Sequence, residues 1–139
     1  MAQAQTLREL AQLLRVDLAD LLITCFYCTR WLTYVDKVLF LHSGLGLHYR
    51  DDLPYAACQP CVKATARLDF LLNYQGFMSV DQICGIKNKD FSELDVRCWS
   101  CLRVLNRLEK LDVATTRGDV ALIGDQVRAR CLLCKIGIA

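Results

Sequence analysis

Apolar residues recur about every third or fourth position near the start of the chain: Leu7, Leu10, Leu13, Leu14, Val16, Leu18, Leu21 and Leu22. That period predicts a helix over 6–22, with Asp17 placed to cap a second helical start. Leu10–Leu14 and Leu18–Leu22 each read LxxLL. Three leucines at this spacing share one helix face, which a chain can offer to a partner's groove or fold against its own core. Most of these leucines are expected to turn inward and cover a small core.

The pattern then changes period. "RWLTYVDKVLFL" predicts a short helix leading into a strand, and Leu45, Leu47 and Tyr49 alternate as a strand does, with Gly44 and Gly46 marking the turn before it. A helix is predicted from about Val62 to Gln75, stopped by Gly76. Ser79 and Gln82 fit a capping box. Leu94, Val96 and Cys98 alternate as a strand, and "LRVLNRLEKLDVA" repeats the earlier helix-then-strand order.

Cysteine changes this picture most. Eight of the nine cysteines form CxxC pairs: Cys25/Cys28, Cys58/Cys61, Cys98/Cys101 and Cys131/Cys134. The intervals between pairs are 29, 36 and 29 residues, so two CxxC-x29-CxxC units stand in tandem. Arg30, Leu32, Val35, Asp36 and Lys37 are matched in the second unit by Arg103, Leu105, Leu108, Glu109 and Lys110, which marks an internal duplication. Two CxxC turns supply the four thiolates of a closed, structural zinc site, and two zinc ions are expected. In units this small, zinc binding contributes folding free energy on the order of 10 kcal/mol. Buried thiols acting as small hydrophobes would not explain the equal spacing, and a redox CxxC is normally single, beside a βαβ pattern. Cys84 falls outside the frame and reads as a buried or free thiol.

The expected fold class is α+β: two tandem, small, treble-clef-like zinc-binding domains joined by a linker helix, with an N-terminal helix. The domain reading is 1–23 for the N-terminal helical segment, 24–62 for the first zinc domain, 63–90 for the linker and its connection, and 91–139 for the second zinc domain. Two domains with a connecting helix are expected to form a cleft.

The remaining composition narrows the function classes. A hydrophobic content of 54% with 23% charged residues is that of a folding chain. No run of about eighteen apolar residues exists, so no membrane span is expected, and no signal peptide is read. With eight thiolates and two zinc ions, the formal charge of +2 becomes about −2, against direct nucleic-acid binding. No nucleophile elbow, phosphate loop or dinucleotide fingerprint is found, and the metal sites are saturated by cysteine. An adaptor without an active site is therefore expected. A zinc-dependent nucleic-acid-binding regulator is the alternative of another class.

At this point the residues resemble a known family. The full cysteine frame, with "YRDD" at 49–52, "YAACQPC" at 55–61, "VRC" at 96–98 and "LEKLD" at 108–112, is similar to the papillomavirus early oncoprotein, product of the sixth early reading frame. The "LEKLD" stretch resembles cutaneous and animal-type members more than high-risk mucosal ones. The resemblance implies a groove that captures acidic LxxLL helices of host proteins. Mastermind-like coactivators are the first expected partner, with repression of Notch signalling and delayed epithelial differentiation. A HECT-type ubiquitin ligase, redirected to host proteins, is the alternative. Carried over by position, the groove includes Phe26, Tyr27, Leu45, His48, Val62, Arg97, Ile123 and Gln126. Arg97 aligns with an arginine that grips the acidic peptide, whereas Gln126 stands where mucosal members are basic. The resemblance also implies residence in the host nucleus and cytoplasm, with weak self-association. The terminus "KIGIA" lacks the Ser or Thr of a PDZ ligand, so no PDZ-domain binding is expected.

Overall fold

The structure, a computed structural model, describes residues 3–116 and 118–137. Ile138 and Ala139, on which the PDZ expectation rests, lie outside the described residues. The chain divides into two compact units, Met1–Val62 and Lys63–Ala139.

Unit 1 opens with α1 (Leu7–Leu14), whose N-cap Thr6 accepts a hydrogen bond from the Glu9 N–H. A 3-10 turn at Leu18–Asp20, α2 (Tyr34–Ser43), and the hairpin of β1 (His48–Arg50) and β2 (Leu53–Tyr55) follow. Then α3 (Gln59–Asn73) begins and continues into unit 2. Unit 2 adds β3 (Tyr74–Met78), α4 (Val80–Lys87), a 3-10 turn at Phe91–Glu93, β4 (Val96–Cys98), α5 (Arg107–Thr115), β5 (Val120–Ile123), β6 (Gln126–Ala129) and α6 (Leu132–Lys135). Its four strands form one sheet in the order β3-β5-β6-β4, with β4 and β6 parallel and the other pairs antiparallel. This mixture of helices and sheets is the expected α+β class.

The duplication extends through the backbone. His48 pairs with Tyr55 and Arg50 with Leu53; in the second copy Ala121 pairs with Arg128 and Ile123 with Gln126, the same register. Arg15 and Asn88 end α1 and α4 in the same left-handed conformation, with φ of 57° and 55°. The 3-10 turns correspond as well. Lys37 Nζ donates to the Ala19 and Leu21 carbonyls, and Lys110 Nζ to those of Ser92 and Leu94. Each lysine thereby satisfies carbonyls at the end of a turn too short to satisfy its own.

Several expectations are corrected. The helix over 6–22 stops at Leu14, because Arg15 turns left-handed and its N–H closes onto the Ala11 and Gln12 carbonyls. Asp17 then leads into a single 3-10 turn and makes no side-chain cap. The leucines of the two LxxLL copies do not mostly turn inward: Leu10 and Leu21 are buried, but Leu13, Leu14 and Leu22 are 62%, 55% and 80% exposed. Gly76 does not stop a helix: α3 ends at Asn73, and Gly76, at φ 142°, absorbs a register shift in β3 where it pairs with β5. The Ser79–Gln82 capping box forms as expected, with reciprocal bonds of 3.2 and 2.9 Å.

Candidate metal centres and peptide surface

Each knuckle is a tight turn built by its own backbone. The Thr29 N–H donates to the Cys25 carbonyl and the Leu102 N–H to that of Cys98, both at 3.0 Å. Thr29 and Leu102 take left-handed φ of 62° and 63°, which turns the chain sharply just after the second cysteine of each pair. The other knuckle of each unit sits at a helix start, with Cys58 just ahead of α3 and Cys131 capping α6. Hydrogen bonds then dock the first knuckle against the strand entering the second, Phe26 N–H to the Ala56 carbonyl at 2.8 Å and Trp99 N–H to that of Ala129 at 3.0 Å.

The outcome is two groups of four thiols, Cys25/Cys28/Cys58/Cys61 and Cys98/Cys101/Cys131/Cys134, with the sulfurs of each group within 4.8 Å of one another. Cys28 Sγ lies 3.7 Å from Cys58 Sγ, Cys101 Sγ 3.7 Å from Cys131 Sγ, and Cys98 Sγ 3.6 Å from Cys134 Sγ. A tetrahedron with Zn–S bonds of about 2.3 Å has edges of about 3.8 Å, so this spacing fits zinc. Each group could hold one zinc ion, and no ligand position is left over for catalysis. Cys84 belongs to neither group and packs, half-buried, against the core of unit 2.

The thiols are already polarised for a cation. Burial opposes ionisation of Cys25, but the N–H groups of Cys28, Cys58 and Tyr27 outweigh it and bring this thiol down to about 6. Burial pushes Cys134 up to about 12, with the Cys98 charge adding to it. One thiolate thus raises its neighbours, and a dication relieves the whole set. The second centre is buried at all four cysteines, whereas Cys28 of the first is exposed and Cys61 half-buried.

The residues expected to form a peptide groove fall into two sets. In unit 1, the rings of Phe26 and His48 lie 4.9 Å apart, with Tyr27 5.3 Å from Phe26 and 6.2 Å from His48. Leu45 is half-buried, and Val62 is buried. The sequence reading did not single out Arg50 for this surface, although "YRDD" contains it; its guanidinium lies over the Phe26 ring at 4.4 Å. In unit 2, Arg97 and Gln126 line one cavity of about 560 Å³ together with Val96, Val104, Val127 and Arg128. Ile123 pairs with Gln126 across β5 and β6 and is buried. Arg97 donates to the Leu102 carbonyl at 2.7 Å, and burial, then the nearby Arg128 charge, lower its pKa.

Two duplicated α+β units, each bringing four cysteines around one centre, define a protein with two tandem candidate zinc sites of the structural, four-cysteine type. Residues 25–134 match the family model described as Early Protein (E6). The protein is similar to Protein E6 of Human papillomavirus type 1, 32% identical over 95% of this chain and 94% of that one. It is also similar to Protein E6 of Human papillomavirus 25, 34% identical over 94% and 81%. Protein E6 of a Mastomys natalensis papillomavirus is 30% identical over 94% and 97%. The chain belongs to the papillomavirus E6 early-protein family. None of these relatives is of the high-risk type, in line with the resemblance of the "LEKLD" stretch.

Proposed function

We propose that this protein is a non-enzymatic adaptor that captures acidic LxxLL helices of host regulators. Mastermind-like coactivators are its first partner, with repression of Notch signalling and delayed epithelial differentiation as the consequence. The observation that supports this reading is the cavity of unit 2, which Val96, Val104 and Val127 line together with the cationic residues Arg97 and Arg128. An LxxLL helix brings both an apolar face and flanking carboxylates, and such a lining matches both. Within unit 1, Phe26, Tyr27 and His48 form an aromatic cluster of their own.

Fluorescence titration of the zinc-loaded chain with a coactivator LxxLL peptide tests the reading. Binding well above a control with the leucines changed to alanine is the expected result, and equal binding of peptide and control overturns it. A HECT-type ubiquitin ligase is the second reading. Arg128 favours keeping it, since this cation stands two residues along β6 from the neutral Gln126. Preference for the ligase peptide in the same titration would choose it. Residence in the host nucleus and cytoplasm is proposed with this role, and imaging of the tagged protein in epithelial cells checks it.

A further inference from the structure

The duplication supplies an internal comparison of the two sulfur centres. Cys28 Sγ and Cys58 Sγ stand 3.7 Å apart, and their counterparts Cys101 Sγ and Cys131 Sγ stand at the same 3.7 Å. In both pairs each knuckle contributes one sulfur. The surroundings differ. Cys58, Cys101 and Cys131 are buried, but Cys28 is open to solvent, and it alone is exposed among the eight cysteines of the two groups. The matched arginines divide in the same way. The Arg103 side chain is 15% exposed and paired with Glu109, whereas that of Arg30 is 57% exposed and 3.9 Å from Asp36. One sulfur geometry is thus enclosed in unit 2 and open on one side in unit 1.

We propose that Cys28 is a modification site, oxidised by peroxides, and that Cys58 completes the reaction as a disulfide. Susceptibility to oxidation follows thiolate character and exposure. All eight sulfurs are thiolates when they ligate zinc, so exposure decides among them, and it selects Cys28. The Cys28 thiolate attacks one oxygen of hydrogen peroxide. The S–O bond forms, the O–O bond breaks, and the other oxygen leaves as hydroxide, which takes a proton from solvent. Cys28 is then a sulfenic acid. The Cys58 thiolate, 3.7 Å away, attacks its sulfur; the S–S bond forms, the S–O bond breaks, and a second hydroxide leaves and is protonated. The two sulfurs give up two electrons, and one peroxide becomes two waters. The disulfide removes two of the four ligands of the first centre. That centre should release its zinc, and unit 1 should lose the folding free energy that comes with it, while unit 2 keeps both. This chemistry is independent of peptide capture.

The test exposes the full zinc-loaded chain to hydrogen peroxide. A colour indicator reads released zinc, and mass spectrometry of the alkylated digest maps disulfides and free thiols. The wild type should lose one zinc ion well before the other, together with a Cys28–Cys58 disulfide, while Cys98, Cys101, Cys131 and Cys134 remain free to alkylate. Cys28→His keeps a zinc ligand and removes the oxidisable sulfur, so it should hold both ions through the same treatment. Cys84→Ser, which changes the one cysteine outside both groups, should lose one ion as the wild type does. If Cys28→His does not take up two zinc ions at the outset, the disulfide maps of the wild type and of Cys84→Ser decide. Four results overturn the proposal: both ions lost together, a first disulfide in the second centre, a first disulfide that leaves Cys28 free, or oxidation confined to Cys84 with both ions retained.

Discussion

Asp36 and Glu109, related by the same offset as Cys25 and Cys98, make the same pair of backbone bonds in the two units. Asp36 accepts the N–H of Thr33 at the start of α2 and that of Gln59 at the start of α3, each at 3.1 Å. Glu109 accepts the N–H of Asn106 at the start of α5 at 3.1 Å and that of Leu132 at the start of α6 at 2.8 Å. Each carboxylate thus joins the helix after the first knuckle to the helix holding the second. It satisfies N–H groups that helix geometry leaves open and places negative charge at two helix N-termini.

The two are not equally strained by burial. Glu109 is 1% exposed and also pairs with Arg103, which is itself largely buried, whereas Asp36 is 6% exposed and lies 3.9 Å from an exposed Arg30. Removing the charge at Glu109 leaves a buried arginine uncompensated. Glu109→Gln is therefore expected to destabilise unit 2 by about 2–4 kcal/mol, and Asp36→Asn to destabilise unit 1 by about 1–2 kcal/mol. Denaturant unfolding of the zinc-loaded variants checks the order, and a larger loss for Asp36→Asn would contradict it.

Unequal exposure of the centres predicts an order of metal loss. Cys28 is open to solvent and Cys61 half-buried, while the other centre is enclosed at every ligand. A competing chelator should take the zinc of unit 1 first, giving two kinetic phases of one ion each. Cys58→Ser should retain one zinc, removed slowly, and Cys131→Ser one zinc, removed fast, each variant losing the fold of its own unit. A single phase in the wild type would contradict this.

The thiol ionisation sets a direction with pH. A Cys134 thiol pushed up to about 12 is protonated at neutral pH in the metal-free chain, so zinc must displace its proton. Cys25, lowered to about 6, is already a thiolate there and gives up none. Zinc uptake near pH 7 should therefore release protons, and affinity should fall as pH falls, because protons compete for the same sulfurs. The fall steepens once Cys25 also protonates, below about pH 6. A colour indicator in weak buffer reads the protons, and chelator competition at about pH 6 and pH 8 reads the affinity. Tighter binding at the lower pH would overturn the assignment of thiolate ligands.

What the sequence made legible was whatever depends on spacing. The cysteine frame, the duplicated Asp36/Glu109 and Lys37/Lys110 pairs, and the Ser79–Gln82 box are local or periodic. The hairpin of β5 and β6 was also written there, as Gly124-Asp125 between two apolar runs, a turn pair that suits φ above zero; the sequence reading passed over it. Arg128 could not be read as buried, since its burial depends on Asp69, 59 residues away on another element. Lys37 is similar: a lysine in an amphipathic helix ordinarily reads as solvated, and it is 4% exposed because two carbonyls of the preceding turn need its ammonium. The helix over 6–22 failed for a related reason. Periodicity counts leucines but does not show that the chain must turn at Arg15.

That turn leads to the last prediction. The first LxxLL copy is divided: Leu10 is 6% exposed, while Leu13 and Leu14 stand mostly in solvent. A core leucine lost to alanine costs the transfer energy of its side chain and leaves a cavity, about 2–5 kcal/mol, whereas an exposed one costs within about 0.5 kcal/mol. Leu10→Ala should therefore lower the stability of unit 1 sharply, and Leu13→Ala with Leu14→Ala should leave it nearly unchanged. The double variant should also raise solubility, since it removes apolar surface from α1. Thermal unfolding and zinc content read the comparison. If the double variant destabilises the unit as much as Leu10→Ala does, Leu13 and Leu14 belong to the core after all, and α1 is held on two faces rather than one.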